Sequence, residues 1–469
     1  METTGCPKLD ADLQRFNALI DFEPTSGEDL ERTLAQASTT VAHADLDAYD
    51  LAAIRAHGKT ALDDMLALRV SLSNRVQDWH ARGLMTRPAQ KALRNVFRDG
   101  RYATDMIGEL VHDYVPSRTG GPGERGIALK PPQTGFTGGR LQTLTNPRFG
   151  EDGTVEVRSG DVLLVRGMLA NSAAIARIGD VDTQFSHIGL IHVDDHGDAT
   201  VVEALIESGV TLTPLVDALN YDLARAVILR ARDPRIGEAA AELALAFVKR
   251  ARSDDHPHIP YDFTMELTGY RELYCSKLIR LAFAAATDGA LLLPTFRTRL
   301  DMANRTFFDQ IGVTARETFA PSDIELEPGF EIVAEWRDYR NTALTRNQDV
   351  VLDMMFYWMD THSLALTPTL KIRAIGWLGR LSAYLPNAIK KRLKTAVPTV
   401  PRNMPKSAIE AVAMLDSTVR ELTEHVMGLD QKMAHTTGRP LHPREAYEAL
   451  EVYRRQRPGR IGYLRPPPR

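Results

Sequence analysis

Apolar positions follow two different rhythms along this chain. Between about 27 and 115 they recur at helical spacing. Leu62, Met65, Leu72, Val76 and Trp79 form one series, and Ala103, Met106, Ile107, Leu110, Val111 and Tyr114 a second. Gly83 and Pro88 interrupt the run, which predicts a helical hairpin or small bundle. Residues 1–115 are therefore read as a helical N-terminal domain whose amphipathic faces are explained by packing. Residues 116–154, with Gly120-Gly121-Pro122-Gly123 and Pro131-Pro132, have the composition of a linker or long loop.

From 155 the rhythm shortens. Gly160-Asp161-Val162-Leu163-Leu164-Val165 reads as a turn entering a strand. His187–Val193 and Thr200–Leu205 read as two strands around the turn residues Asp194-Asp195-His196-Gly197. Gly209–Leu212 and Ala226–Arg230 add short strand signals. Helical patterns follow at 235–251 and 275–287, and a final strand near 331–336. Residues 155–338 are thus expected to form an α+β domain with an antiparallel sheet. After 345 the pattern is helical again to about 460, punctuated by Pro368, Pro386, Pro398, Pro401 and Pro405. The tail Arg465-Pro466-Pro467-Pro468-Arg469 is expected to fray.

Composition narrows the class. The 469 residues are 43% hydrophobic and 25% charged, as in soluble globular proteins, and the length suggests about three domains. A net charge of −4 argues against a nucleic-acid partner. The two cysteines sit in unlike contexts, Cys6 in a polar tail and Cys275 in an apolar one, so a disulfide is not expected and a reducing compartment is the default. No run of roughly 18 apolar residues occurs, and Met1–Pro7 lacks the basic and apolar regions of a signal peptide. A cytoplasmic location is the default expectation, with non-Sec export or peripheral membrane association left open.

The charge is unevenly placed. Residues 361–409 contain no acid, but they contain Lys371, Arg373, Arg380, Lys390, Lys391, Arg392, Lys394, Arg402 and Lys406. Leu370, Ile372, Ile375, Trp377, Leu378, Leu381, Tyr384 and Leu385 lie among these bases. Packing explains such a segment, and so does contact with an anionic membrane surface.

Candidate chemistry centres on Cys275. It opens a helical run in which Leu278, Ile279, Ala282 and Phe283 share a face. A thiol in a first helical turn sees the positive end of the helix dipole. If Val193 pairs with Gly197 across the turn, His187 falls opposite Glu203. Any register of the same parity still keeps the two side chains on one face, where a carboxylate orients an imidazole. His256-Pro257-His258, with His192 and His196 elsewhere, lacks the spacing of a metal site, and Gly120-Gly121-Pro122-Gly123 lacks the ending of a phosphate-binding loop.

Taken together, Gly160–Leu164, Ser186–Ile191, Val202-Glu203-Ala204, Pro260-Tyr261-Asp262-Phe263, Tyr274–Ile279 and Ala320-Pro321-Ser322-Asp323-Ile324 resemble, in that order, the circularly permuted NlpC/P60 papain-like hydrolases, the YiiX/YaeF-like permuted amidases. The histidine preceding the cysteine matches the permuted order. The resemblance covers about residues 155–338. It implies a permuted papain-like core with Cys275 as nucleophile, His187 as general base and Glu203 as orienting group. Tyr261, Asp262 and Tyr274 are implied near the substrate, and no metal or organic cofactor is needed. Where the family often has an acid after the Cys-Ser pair, this chain has Lys277, expected to point to solvent. The expected activity is acyl-bond cleavage, of an amide or a lipid ester, by hydrolysis or acyl transfer through a thioester. The alternatives are a non-catalytic lipid- or peptide-binding module, or an exported effector using the same fold.

Overall fold

The computed structural model describes residues 4–112, 128–130, 135–137, 142–150, 154–219, 223–251, 259–300, 302, 304–384 and 400–466. Four helices come first: α1 (Pro7–Ile20), α2 (Gly27–Ala42), α3 (Leu51–Ala81) and α4 (Arg87–Val111). Local chemistry starts three of them. The side chains of Ser26, Asp50 and Thr86 accept first-turn N–H groups of α2, α3 and α4. Helix α1 is an addition to the sequence reading: Leu9, Leu13, Phe16 and Ile20 bury one stripe of it. Cys6, expected in a polar tail, is buried at its start.

Among the described residues the central sheet has seven antiparallel strands: β1 (Thr143–Thr145), β2 (Val162–Gly167), β3 (His187–Val193), β4 (Ala199–Leu205), β5 (Gly209–Pro214), β6 (Leu223–Ala231) and β7 (Phe330–Arg337). Their order is β1-β7-β6-β2-β3-β4-β5. Part of the expected linker is therefore structural. Thr143–Thr145 is the edge strand beside β7, and Ala128–Lys130, Gly135–Thr137 and Thr154–Glu156 form a small sheet of their own. Ladder hydrogen bonding to β7 offsets the weak local propensity that made the segment read as loop.

Residue alternation decides what each face of the sheet covers. Ile188, Leu190, Val202 and Ala204 join the core that includes α7 (Pro234–Ala251) and α8 (Cys275–Ala286). Leu163, Val165, Ile191 and Val201 join a smaller core on the other face with α6 (Leu215–Leu219). Gly160 enters β2 at φ +90, and a Cβ there would lie 2.1 Å from the carbonyl carbon of Gly237. Only glycine allows both that conformation and that crossing of β2 against α7.

A third core joins α5 (Ala170–Ala176), α9 (Thr306–Ile311), α10 (Tyr339–Thr361), α12 (Lys406–Thr437) and α13 (Pro443–Gln456). Met355, Trp358, Met414, Leu422 and Leu450 are among its members. Helix α11 (Leu370–Ser382) packs beside α12. The expected fraying of the tail does not extend to Arg465: Leu464–Arg465 pairs with Ala365–Leu366, and Leu464 is fully buried.

The N-terminal helices share the main core with the sheet. Buried ion pairs join the two as well. Asp105 of α4 holds both Arg225 of β6, at 2.6 Å, and Arg337 of β7. Arg94 and Arg101 of α4 reach Asp323 at 2.8 Å and Glu325 at 2.9 Å. Ala320–Ile324, part of the sequence pattern, thus leads into a short 3-10 turn (Pro321–Leu326) whose acids receive the arginines of α4. No helix among the described residues is long and apolar enough to cross a membrane.

Candidate active site

Cys275 is the first residue of α8. Tyr274 precedes it in extended conformation, φ −97 and ψ 168, and accepts the Leu278 N–H at 3.1 Å. No side chain caps this helix start. The first-turn N–H groups therefore keep their donor capacity, and the positive end of the dipole lies at the sulfur. Pro260 accepts the Leu273 N–H at 3.0 Å, which fixes the approach to the helix.

His187 opens β3, and Glu203 lies on the adjacent β4. The observed register pairs Val193 with Ala199 and Leu190 with Val202, two residues beyond the expected Val193–Gly197 pairing. The turn is longer than assumed because the Asp194 carboxylate accepts the N–H groups of His196 and Asp198, both at 2.9 Å. Parity is preserved, so His187 and Glu203 are diagonal neighbours on one face. His187 Nε2 and Glu203 Oε2 are 2.7 Å apart. With Nε2 committed to the carboxylate, Nδ1 is the ring nitrogen left for Cys275, which lies close enough to His187 for each group to shift the other's titration. On the far side, the Thr213 hydroxyl of β5 donates to the other oxygen of Glu203. Gly189 keeps the space between these groups open: a Cβ there would meet Val201 Cγ1 at 2.4 Å and Glu203 Cβ at 3.6 Å.

The electrostatics follow from this placement. Burial pushes the Cys275 thiol up, but hydrogen bonding and charge from His187, the Ile188 N–H and the Ser276 hydroxyl outweigh it, so the thiol titrates below its ordinary value. Burial pulls His187 down, yet its bonds to Cys275 and Glu203 carry it up to about 10. Burial raises Glu203, and the His187 bond and charge more than reverse that. All three shifts favour a thiolate–imidazolium pair held by a carboxylate. Cys275 and Glu203 are buried, and the His187 side chain is 21% exposed, which gives the pair contact with solvent.

These shifts predict a bell-shaped dependence of kcat/KM on pH. The thiol must lose its proton, so the acid limb rises below the ordinary cysteine value. His187 must keep its proton, so the alkaline limb falls near 10. Glu203→Gln removes the charge that holds up the imidazolium. That variant should lose roughly 10–100-fold in kcat/KM and shift the alkaline limb to lower pH, as read from pH–rate profiles of the two proteins. A fall in rate with an unmoved limb would mean that Glu203 supports the fold and not the ring.

Around this series the structure corrects the orientation of one residue, Lys277. Lys277 does not point to solvent: it is buried and meets Asp262 Oδ2 at 2.7 Å. Asp262 Oδ1 accepts from the Thr264 N–H at 2.9 Å and from its hydroxyl at 2.5 Å. Asp262, expected near the substrate, ties the Tyr261–Thr264 segment to α8. Lys277 supplies the cation because a buried carboxylate needs one. Tyr274, also expected at the substrate, has its hydroxyl 2.9 Å from Thr318 Oγ1 and anchors the helix start. Tyr261 is buried against Phe263 and lies close enough to Cys275 to feel its charge. The sequence reading missed Thr213, because the predicted strand stopped at Leu212. It also missed Ser276, whose Oγ is 3.9 Å from the sulfur.

Among the described residues no group of three potential metal ligands occurs. His192 Nε2 lies 2.8 Å from Glu242, and His256 and His258 lie outside the described residues. No curated protein matches the chain. Residues 156–321 match the family model described as permuted papain-like amidase enzyme, YaeF/YiiX, C92 family. The matched stretch spans β2 through α9 and includes Cys275, His187 and Glu203. Over these residues the chain is similar to the permuted papain-like amidases, its helices and antiparallel sheet are consistent with a permuted papain-like α+β fold, and the match supports a hydrolase of the cysteine type.

Proposed function

We propose that the protein cleaves an acyl bond through a thioester on Cys275. The observation that carries this reading is Cys275 at the start of α8, electrostatically coupled to the hydrogen-bonded pair His187–Glu203. The Cys275 thiolate attacks the acyl carbon, and the oxyanion that forms faces the first-turn N–H groups of α8, Cys275's own among them. One such donor contributes about 3 kcal/mol in comparable sites. The His187 imidazolium then gives its proton to the departing amine or alcohol. In the second half the neutral imidazole takes a proton from water, hydroxide attacks the thioester, and the carboxylic acid leaves. An acceptor other than water makes the same sequence an acyl transfer. Tyr261 is the expected substrate contact beside the sulfur.

An amide is the first substrate class, since amidase is the family's description. A lipid ester is the second reading, favoured by the exposed apolar face of α11 described below.

Alkylation with iodoacetamide at neutral pH tests the mechanism. Cys275, whose thiol is pulled below its ordinary value, should label in preference to Cys6, which is buried and accepts the Asp50 N–H at 3.3 Å. His187→Ala should remove the preference. Equal, slow labelling of both thiols would favour a binding module over an enzyme. Mass spectrometry after exposure to peptide amides and, separately, to phospholipid should then find the acyl group retained on Cys275.

A further inference from the structure

Helix α11 buries one side and leaves an apolar side open. Ile372, Gly376, Gly379 and Ser382 face α12, and the glycines allow a close approach: Cβ atoms at 376 and 379 would lie 2.6 Å from Glu410 Cγ and 3.0 Å from Ile409 Cγ2. On the opposite side Leu370, Trp377, Leu378 and Leu381 are 85%, 60%, 65% and 62% exposed, and Tyr384, just past the helix end, is 59% exposed. At about 100° per residue the exposed helical residues form one stripe. Lys371 borders it on one edge, and Arg373 and Arg380 border it on the other.

The cations are arranged around this stripe. Lys371 and Arg373 are exposed. Arg380 lies over the Tyr384 ring at 5.2 Å while donating to the carbonyls of Arg402 and Met404. Lys406 lies over the Trp377 ring at 5.2 Å and also meets Glu410, the nearest acid, at 2.7 Å. Residues 361–409 contain no acid. A second apolar surface would bury the stripe but leave these charges uncompensated. A layer of anionic headgroups over acyl chains matches both.

We infer that α11 is an interfacial helix that docks the protein on an anionic lipid surface. Through α12 and the residues before it, α11 is linked to the candidate active site. Val400, Met404 and Ile409 pack with Ala383 and Phe263, and Asn403 Nδ2 donates to the Tyr261 carbonyl at 2.7 Å. Docking therefore takes place on a support that touches the segment beside Cys275. The extension that the acyl substrate is membrane-borne rests on the acyl-cleavage reading; docking itself does not.

The full-length chain carries its own probe. Of the four tryptophans, Trp79, Trp336 and Trp358 are fully buried and Trp377 is exposed. Vesicles of phosphatidylglycerol and phosphatidylcholine should sediment the protein, and brominated phosphatidylcholine included in them should quench the Trp377 emission. Pure phosphatidylcholine vesicles should bind at least about tenfold more weakly. Leu370→Ser/Leu378→Ser/Leu381→Ser should lower binding to the anionic vesicles by more than about tenfold. Lys371→Glu should lower it about fivefold and leave the melting temperature unchanged. Equal binding by the wild type and the triple serine variant would overturn the proposal. So would concentration-dependent dimerisation that the serine variant abolishes, without vesicle binding. The Cys275→Ser protein should dock like the wild type. Docking without turnover removes the hydrolase reading alone, and turnover of a water-soluble substrate without docking removes this inference alone.

Discussion

Cys275→Ser should lower kcat/KM by about 10³-fold or more while leaving the melting temperature within a degree or two of the parent. The substitution exchanges sulfur for oxygen in a buried position at the start of α8 and changes little in packing. It changes the chemistry fundamentally. A serine hydroxyl ionises far above a thiol, and His187 loses the sulfur that helps to carry its titration up, so proton transfer from the hydroxyl to the ring becomes far less favourable. The ion pair then fails to form and no thioester accumulates. His187→Ala should reach a similar floor by the other route, leaving a buried thiol in its protonated form. The measurement is kcat/KM on amide and ester substrates, paired with a thermal melt of each variant. Turnover by Cys275→Ser at the parental rate would end the mechanism, whatever the substrate proves to be.

Asp105→Ala should destabilise the fold by about 3–5 kcal/mol, a large share of the roughly 5–15 kcal/mol that holds a domain together. Asp105 is fully buried on α4 and serves two guanidinium groups from different strands. Without it, Arg337 keeps Glu335. Among the described residues Arg225 keeps the Gln184 carbonyl, at 3.1 Å, and the face of the Phe185 ring in direct contact, with Glu335 and Asp349 acting on it at longer range. Neither contact is a carboxylate bonded to the guanidinium, so Arg225 loses its direct ion pair inside the protein. Asp105→Asn separates shape from charge: it preserves the side-chain volume and should still lose more than half of the same stability. The readout is the midpoint of urea unfolding at constant slope. A loss below about 1 kcal/mol in Asp105→Ala would mean that water reaches these arginines and that the helical region is not joined to the sheet by charge. The prediction also bears on organisation, because residues 1–115 and 155–338 were separable in sequence yet share one buried core.

Much of the site was legible because its signals are local. The alternation in His187–Val193 and Ala199–Leu205 fixed which residues share a face, and a hairpin preserves that parity even when its turn length is misjudged. That is why His187 and Glu203 meet although Val193 pairs with Ala199 rather than Gly197. The helical stripe after Cys275 located the start of α8 for the same reason. Lys277 was misread because its rotamer is decided by Asp262, fifteen positions away and brought near only when the 260–264 segment folds over α8. Asp262 and Tyr274 lie beside the expected site, but their polar atoms are committed to Lys277, Thr264 and Thr318. Thr143–Thr145 looked like linker because an edge strand gains its stability from the ladder of its neighbour and not from its own residues.

Side-chain period, turn residues and the order of short motifs were enough to predict an α+β domain in which the histidine strand precedes the cysteine helix. Each of these depends on residues within a turn or a pleat of one another. The partner of each buried charge, the exposure of the α11 stripe and the union of the helical and sheet regions in one core came from the folded chain. They depend on which distant surfaces exclude water together, and a local pattern carries no record of that.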